Sequence, residues 1–552
     1  MYRLTSLKPI VATIALYASQ AQAVTSGDVV SFAFPNDFGP DIVGVLTYIG
    51  FTGTGQVSFE GQGANALDSG FLGWEANAHG QLDLGDGATV NLSSFTLDAF
   101  GEPVQDALLF AGIAGRGDIA ITGGAVLNGA RYVGVGMRGV GTLAVDGENS
   151  ALNLQGWIAH DVVSVFGSTV PGNTQAALSI GGGGEGAVTV RNGGRINLTQ
   201  SPGRPVNDLF GLAVSVGDTD PVGGQGGKAS LAIDGPGSRI SVTGNSARLW
   251  VGAVDSELNG GAPSAVAITN GGEMVLSGSP IGFDFAAVGA LTGQRGEMLI
   301  EGADSRLDAG DVLAIATNAT LTDFDPNNDI AAGTGTVTVR DGGVIETDFG
   351  VYIGAGGTLS GDGKVIADVL NLGGTISPGN SPGRLLVDGD VSLSGGGKLV
   401  LEIASATVFD QLAASGTMQL GGGVIEFVFA DGVAPDILEL LDIGDFLQQY
   451  VPNESGDTFI TGVPGDNLLG VQSLTWLSAT PGVTIDFVLG QGFTVSTAPI
   501  PLPGGAALFP PALLVLAALR RRCQNGTLSR RSAFSPASSS RSRNQAVGAM
   551  SD

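Results

Sequence analysis

Reactive side chains are few in this chain. It has two histidines, His79 and His160, and one cysteine, Cys523. The histidines stand 81 residues apart, His79 before Gly80 and His160 before Asp161. A Ser-His-Asp relay needs a histidine beside an activated serine, and a structural zinc needs four Cys, His or acidic ligands. Two separated histidines and one cysteine near the C-terminus supply neither, so each histidine reads as a surface polar residue and no catalytic residue is assigned. The carboxylates offer more. Carbohydrate-active enzymes built on stacked strands cluster acids on successive levels, helped by Arg or Lys. Asp308, Glu346 and Asp348 fall at exposed strand positions and are the candidates for such a cluster; a solvated face is the reading the residues favour. One loop spaces oxygen ligands at alternate positions, as the first half of a calcium loop does: Asp323, Asp325, Asn327 and Asp329. Asn328 stands where that motif has glycine and Thr334 where it closes with glutamate, so an Asx-rich turn is the other reading. No cofactor is expected from the sequence; calcium at this loop is the one exception its residues allow.

Acids so far apart in sequence meet only if the chain stacks distant segments in register. Its composition favours that. Glycine supplies 92 of 552 residues, charged residues 14% and aromatics 6%, where glycine is ordinarily ~7%. Val, Ile and Leu are abundant, unlike in a disordered chain. A unit recurs: two apolar residues at alternate positions after a glycine, a polar turn, then a second alternating pair. Leu143 and Val145 lead through Gly147 to Leu152 and Leu154. Val188 and Val190 lead through Gly193 to Ile196 and Leu198. Later copies carry Leu231, Ile233, Ile240 and Val242, then Val266, Ile268, Met274 and Leu276, then Met298, Ile300 and Leu307, then Val337, Val339 and Ile345.

Alternation puts the apolar residues of each half on one face. Asp-Gly, Asn-Gly and Gly-Gly supply the positive φ that the turns require. A third short strand ending in glycine usually follows, as at Val216-Gly217, Val251-Gly252, Val288-Gly289 and Ile353-Gly354. Three inward-facing strands per unit describe the rungs of an all-β, right-handed parallel β-helix with β caps at both ends. Small apolar fillers suit this narrow solenoid better than a sandwich array or a propeller. At about 20–25 residues per rung, residues 106–430 would hold about 13–16 rungs over roughly 60–80 Å.

Charge and termini speak to address. Residues 24–519 hold 15 basic and 51 acidic residues, a balance that excludes nucleic-acid phosphate as a partner. The N-terminus has Arg3, Lys8, an apolar run from Ile10 to Ala18 and Ala21-Gln22-Ala23, the pattern of a signal peptide cut by signal peptidase after Ala23. Near the other end an apolar segment, Ala506 to Leu519, follows Pro501-Leu502-Pro503 and stops at Arg520-Arg521-Arg522. Arginines in that position hold their side in the cytoplasm. A helix beginning at Pro511 would reach only about 13–15 Å, which suits a temporary membrane anchor.

The order of proline motif, apolar stretch and arginine cluster, from about Pro499 to Arg522, resembles the PEP-CTERM class of bacterial sorting signals in its VPLPA-type form. Ile500 and Gly504 replace the usual Val and Ala. The resemblance implies recognition by an exosortase-like enzyme, cleavage near Pro501-Leu502-Pro503, and delivery to the cell surface, outer membrane or matrix of a Gram-negative bacterium. The Ser/Arg-rich tail from Cys523 to Asp552 extends past the point where members of that class end, and is expected to be disordered. A second resemblance lies upstream. Gly357 to Gly363, Leu372 to Gly383 with its Ser377-Pro-Gly-Asn-Ser-Pro-Gly turn, Gly397 to Ile403, and Phe409 to Gly423 look like the end of an autotransporter's β-helical passenger. With the looser repeats, the likeness extends over residues 106–430. An autotransporter ends in a membrane β-barrel, and the chain after Gly432 is expected to lack one, so the C-terminal address is the route of export it offers.

The expected division is a signal peptide (1–23), an N-terminal cap with early rungs (24–105), passenger-like rungs (106–430), a C-terminal β cap (431–495), a sorting signal with a short transmembrane segment (496–522) and a basic tail (523–552). The expected function is a non-enzymatic structural or adhesive surface protein. Its partners would be envelope or matrix polysaccharide or another cell surface, with the membrane engaged through the C-terminal segment. A carbohydrate-active β-helix enzyme working with clustered carboxylates is the other reading the fold allows.

Overall fold

The computed structural model describes residues 22–497 apart from 34–44, 68, 93–94, 98–102, 106, 156–176, 201–211, 218–226, 255–262, 279–282, 291–292, 318–332, 453–456 and 461–467. The alternating segments form strands that bury every second residue. In Val140–Asp146, Gly141, Leu143 and Val145 point inward and Thr142 and Ala144 outward. Leu143 stands in register with Ile119 on one side and Val188 on the other. Like stacks on like at this position, and the same holds at Val145 between Ile121 and Val190. The result is a parallel β-helix with three strand faces.

The first face runs from Thr54–Glu60 through His79–Leu84, Arg116–Thr122 and Val140–Asp146 to Thr475–Ser478, each strand parallel to the next. The second face runs from Ala64–Leu67 to Leu447–Val451, and the third from Val45–Ile49 to Leu468–Leu469. Thirteen levels carry a strand on every face, from Thr54 to Leu469, and Thr475–Ser478 begins a fourteenth. At ~4.8 Å per level the first face spans about 60 Å. Ten levels fall between Arg116 and Gln419, fewer than the expected rung length gives, because long connections lengthen several levels. Between Gln155 and Ala177, for example, 21 residues join two strands of one level.

Glycine makes the corner between the third and first faces. Gly136 has φ +73°, and a Cβ there would lie 2.3 Å from the Glu185 carbonyl oxygen of the next level. Gly141, just past the corner, would put its Cβ 2.3 Å from the Gly136 nitrogen. Successive levels pass too close here for any side chain.

One core fills the interior, built of Leu, Ile, Val, Ala and Met over most of its length. Its phenylalanines sit at the two ends: Phe59 at one, Phe427, Phe446 and Phe493 at the other. A narrow bore leaves no room for rings except where a cap replaces the next level. At the N-terminal end, Gln22–Gly27 and Val29–Ala33 run antiparallel to Thr54–Glu60 and Val45–Ile49, reversing the strand direction at the edge. At the C-terminal end a 3-10 helix (Pro435–Leu440), a short helix (Ile443–Phe446) and a two-stranded sheet of Val483–Val488 and Gly492–Thr497 cover the core with Leu438, Ile443, Phe446, Ile485 and Phe493. Asp442 caps the short helix through Ile443 N at 2.7 Å, and Asp445 returns a bond to Asp442 N at 2.7 Å. The C-terminal cap is therefore part helix. Among the described residues no helix is long and apolar enough to cross a membrane.

Candidate functional site

The stacking sets two of the three acids, Asp308 and Glu346, opposite each other; Asp348 lies outside the expected strand position. Arg306–Asp308 pairs with Val344–Glu346 on the second face, with Asp308 opposite Glu346. Both point outward. Arg306 forms an ion pair with Glu346 across the two levels, and Asp308 accepts from Gly310 N at 3.2 Å. Asp348 lies just beyond, at the corner leading to Gly350–Ile353, where its charge bears on Asp311.

That corner carries two further acids, Asp284 and Asp311. They immediately precede Phe285–Val288 and Val312–Ile315, which pair in register on the third face. Asp284 Oδ1 accepts from Ala247 N at 2.6 Å, and Asp311 Oδ2 accepts from Asp284 N at 2.8 Å. Each carboxylate thus satisfies a backbone N–H of the level before it. Farther along, the direction reverses: Asp368 accepts from Asp390 N at 2.8 Å, and Asp390 from Thr417 N at 2.6 Å. The sequence does carry a signal for this corner, an aspartate directly before the first apolar residue of the third strand: Asp284-Phe285, Asp311-Val312, Asp368-Val369 and Asp390-Val391.

Environment separates these acids. Burial pushes the Asp284 carboxyl up to about 6; the bond from Ala247 N opposes it, and the Asp311 charge adds to it. Burial also raises Asp311, with Asp348 adding to the shift. Arg248 faces Asp284 and pulls the other way. A carboxyl held near 6 beside a second carboxyl is the raw material of acid-base chemistry. Asp410 is comparable: 3% exposed and pushed by burial to about 6, it accepts from Gly383 N at 2.9 Å and Glu402 N at 2.8 Å. It pins the Gly379–Gly383 turn to the next level.

That turn, Gly379-Asn380-Ser381-Pro382-Gly383, also spells Gly-x-Ser-x-Gly, the sequence of a nucleophile elbow. Among the described residues Ser381 is not paired with a histidine. Its hydroxyl bonds Glu402, and His79 lies nine levels away, roughly 40 Å at the strand spacing. His79 meets Asp118 at 2.7 Å, and Asp118 also accepts from Arg116 Nε at 2.7 Å and Thr142 Oγ1 at 2.6 Å. Burial alone would raise the Asp118 pKa; these donors outweigh it and lower it. This is an inter-level ion cluster on the first face.

The third face carries rings outward. Tyr48, Phe71 and Phe110 stack one per level, with centroids 5.2 and 5.4 Å apart. Half-buried Phe51, Trp74 and Tyr132 surround them. A second group, Trp250, Phe283, Phe285 and Tyr352, adjoins the Asp284 corner, with the Arg248 guanidinium 5.6 Å from the Phe285 ring centre. The second face instead carries an asparagine ladder: Asn128 donates to Asn91, Asn153 to Asn128 and Asn197 to Asn153, at 2.7–3.1 Å.

Ala23 lies in the strand Gln22–Gly27, opposite Phe59. Ala21, His160, Asp323, Asp325, Asn327, Asp329, Pro501, Leu502, Pro503, Arg520, Arg521, Arg522 and Cys523 lie outside the described residues. Among the described residues no group of three or more His, Cys, Asp or Glu side chains is arranged to hold a metal ion. No family model matches the chain, and no curated protein matches it.

Proposed function

We propose that this protein is an exported, non-enzymatic β-helical scaffold that adheres to polysaccharide at the cell surface or in the surrounding matrix. The observation that carries the reading is the ring set Phe51, Trp74 and Tyr132, half-buried on a rigid stack and backed by buried Tyr48, Phe71 and Phe110. Rings held this way stack on the apolar faces of sugar residues at little entropic cost. The acidity of the body favours neutral polymers over acidic ones. Export rests on the N-terminal leader with Ala21 and Ala23, and sorting on the segment from Pro499 to Arg522.

Two experiments test this. Full-length protein should co-sediment with an insoluble neutral polysaccharide, and the pair Trp74→Ala and Tyr132→Ala should weaken binding at least tenfold. Unchanged binding counts against the surface. Deleting residues 499–522 should shift the protein away from the cell surface on fractionation; an unchanged distribution counts against the address.

One observation favours a second reading. Asp284, with its carboxyl near neutrality, lies beside Asp311 and next to Trp250 and Phe285. A carbohydrate-active enzyme would use such a pair, with Asp284 as acid and Asp311 or Asp348 as the second carboxyl.

A further inference from the structure

Exposed apolar residues are not spread evenly along the stack. Ten large hydrophobic side chains are exposed among the described residues, and six belong to the last levels and their cap: Leu440, Val451, Leu469, Leu477, Val488 and Leu489. Leu440 is 76% exposed on the 3-10 helix, and Leu489 55% exposed where the two strands of the cap sheet join. Single exposed hydrophobics need no explanation, but a concentration at one end of a rod does.

Charge at that end is one-sided as well. Between Lys398 and Arg520 the chain contains no Lys, Arg or His and twelve acids. Asp436, Glu439, Asp442 and Asp445 lie on the two short helices of the cap or beside them. The end therefore joins apolar side chains to a negative surface.

The covalent chain limits what can cover it. The last strand ends at Thr497, and eight residues, 498–505, separate it from the apolar run Ala506 to Leu519. The nine Cα–Cα steps from Thr497 to Ala506 reach at most about 32 Å. A bilayer that takes up Ala506 to Leu519 lies within that distance of Thr497, at the end that exposes its hydrophobics.

We infer that the C-terminal end of the β-helix seats on a lipid surface, with Leu440, Leu477, Val488 and Leu489 entering the interface while the acids of the cap stay in water. The inference rests on Ala506 to Leu519 being a membrane-inserting segment. The excess of acids over cations gives it a specific character: Arg384 over the Phe459 ring and Lys398 on Glu426 are cations packed against these last levels. A typical peripheral protein is drawn to anionic lipid by Lys and Arg; this end is repelled by it and prefers zwitterionic headgroups.

Trp476, half-buried in the last first-face strand, is the natural reporter. The test uses the full-length chain with Trp74, Trp157 and Trp250 changed to Phe, mixed with phosphatidylcholine vesicles that carry brominated acyl chains. The chain should float with the vesicles, and Trp476 fluorescence should be quenched. Combining Leu440→Ser, Leu477→Ser and Leu489→Ser should at least halve the quenching while flotation persists. The exposed-site control, Val140→Ser with Phe349→Ser, should leave quenching unchanged, and equal thermal midpoints would show that both variants fold. With Arg520, Arg521, Arg522, Arg530, Arg531, Arg541 and Arg543 changed to Gln, so that the tail no longer attracts anionic lipid, replacing one third of the lipid with phosphatidylglycerol at low salt should weaken association several-fold. Flotation with quenching indifferent to the triple change overturns the inference and leaves the membrane segment standing. No flotation at all overturns both. A concentration-dependent dimer without lipid, abolished by the triple change, assigns the end to a second copy of the chain and also overturns it.

Discussion

At the scale of single residues, the acids do opposite things. Asp284 and Asp410 are 6% and 3% exposed, and burial holds each near 6, above the ordinary 3.8. A carboxyl raised on folding binds its proton more tightly in the native state. Its contribution is fully present below about 3.8 and is lost as pH rises through about 6. A carboxyl moved from 3.8 to about 6 contributes roughly 2–3 kcal/mol in this way. At Asp28 and Asp118 burial works upward, but hydrogen-bond donors outweigh it; at Asp146 and Asp234 the donors lead, and all four carboxyls are lowered. Their contribution is present above about 3.8 and lost as pH falls below it. The two sets place maximal stability near pH ~4–5. The thermal midpoint should therefore rise as pH is lowered from about 7.5 to about 5. Asp284→Asn keeps an acceptor for Ala247 N and removes the titration, so it should flatten that rise by about half. Melting curves across pH check this; a slope unchanged by the substitution would show that Asp284 is not its source.

At the scale of elements, alternation within a strand is legible in the sequence, and pairing between levels is not. Leu143, Val145, Leu152 and Leu154 announce their strands because alternation already marks the buried face. The same holds for Leu249 and Val251 on the third face. The Asp284 corner is different. Its partners, Ala247 and Asp311, lie 37 and 27 residues away, across connections of uneven length, so no fixed period points to them. Asp308, Glu346 and Asp348 are legible as outward-facing acids, though only Asp348 is exposed; that Asp348 sits at this corner is not legible. Two other elements hide their shape. Val126–Val135 is one strand that serves two faces, with a register shift between Asn128 and Ala130. In the cap, Ile437 to Leu440 is helical, because Pro435 presets φ for a first turn.

Two substitutions test this level. Gly136→Ala forces a Cβ against the next level at positive φ and should cost about 3 kcal/mol or more. Ile233→Ala, fully buried mid-stack, should cost about 2–5 kcal/mol. Chemical denaturation measures both. A loss under about 1 kcal/mol at Gly136 would mean that the corner relaxes freely.

At the scale of the whole molecule, thirteen complete levels share one core and are capped at both ends by non-repeating segments. Each level leans on its neighbours, as in other quasi-one-dimensional folds. The outer surface, not the core, must then carry function, and it offers two ring groups on the third face, the second of them beside the acid corner. We propose that this surface holds sugar polymer without cleaving it. The measurement that decides is polymer length by size-exclusion chromatography after long incubation of full-length protein with a panel of neutral and acidic polysaccharides, together with bound protein in the same tubes. Binding to at least one neutral polymer is expected, lost with Trp74→Ala and Tyr132→Ala, with no change in length for any polymer. Shortening of a polymer that disappears with Asp284→Asn or Asp311→Asn would refute the non-enzymatic reading and make the acid corner an active site.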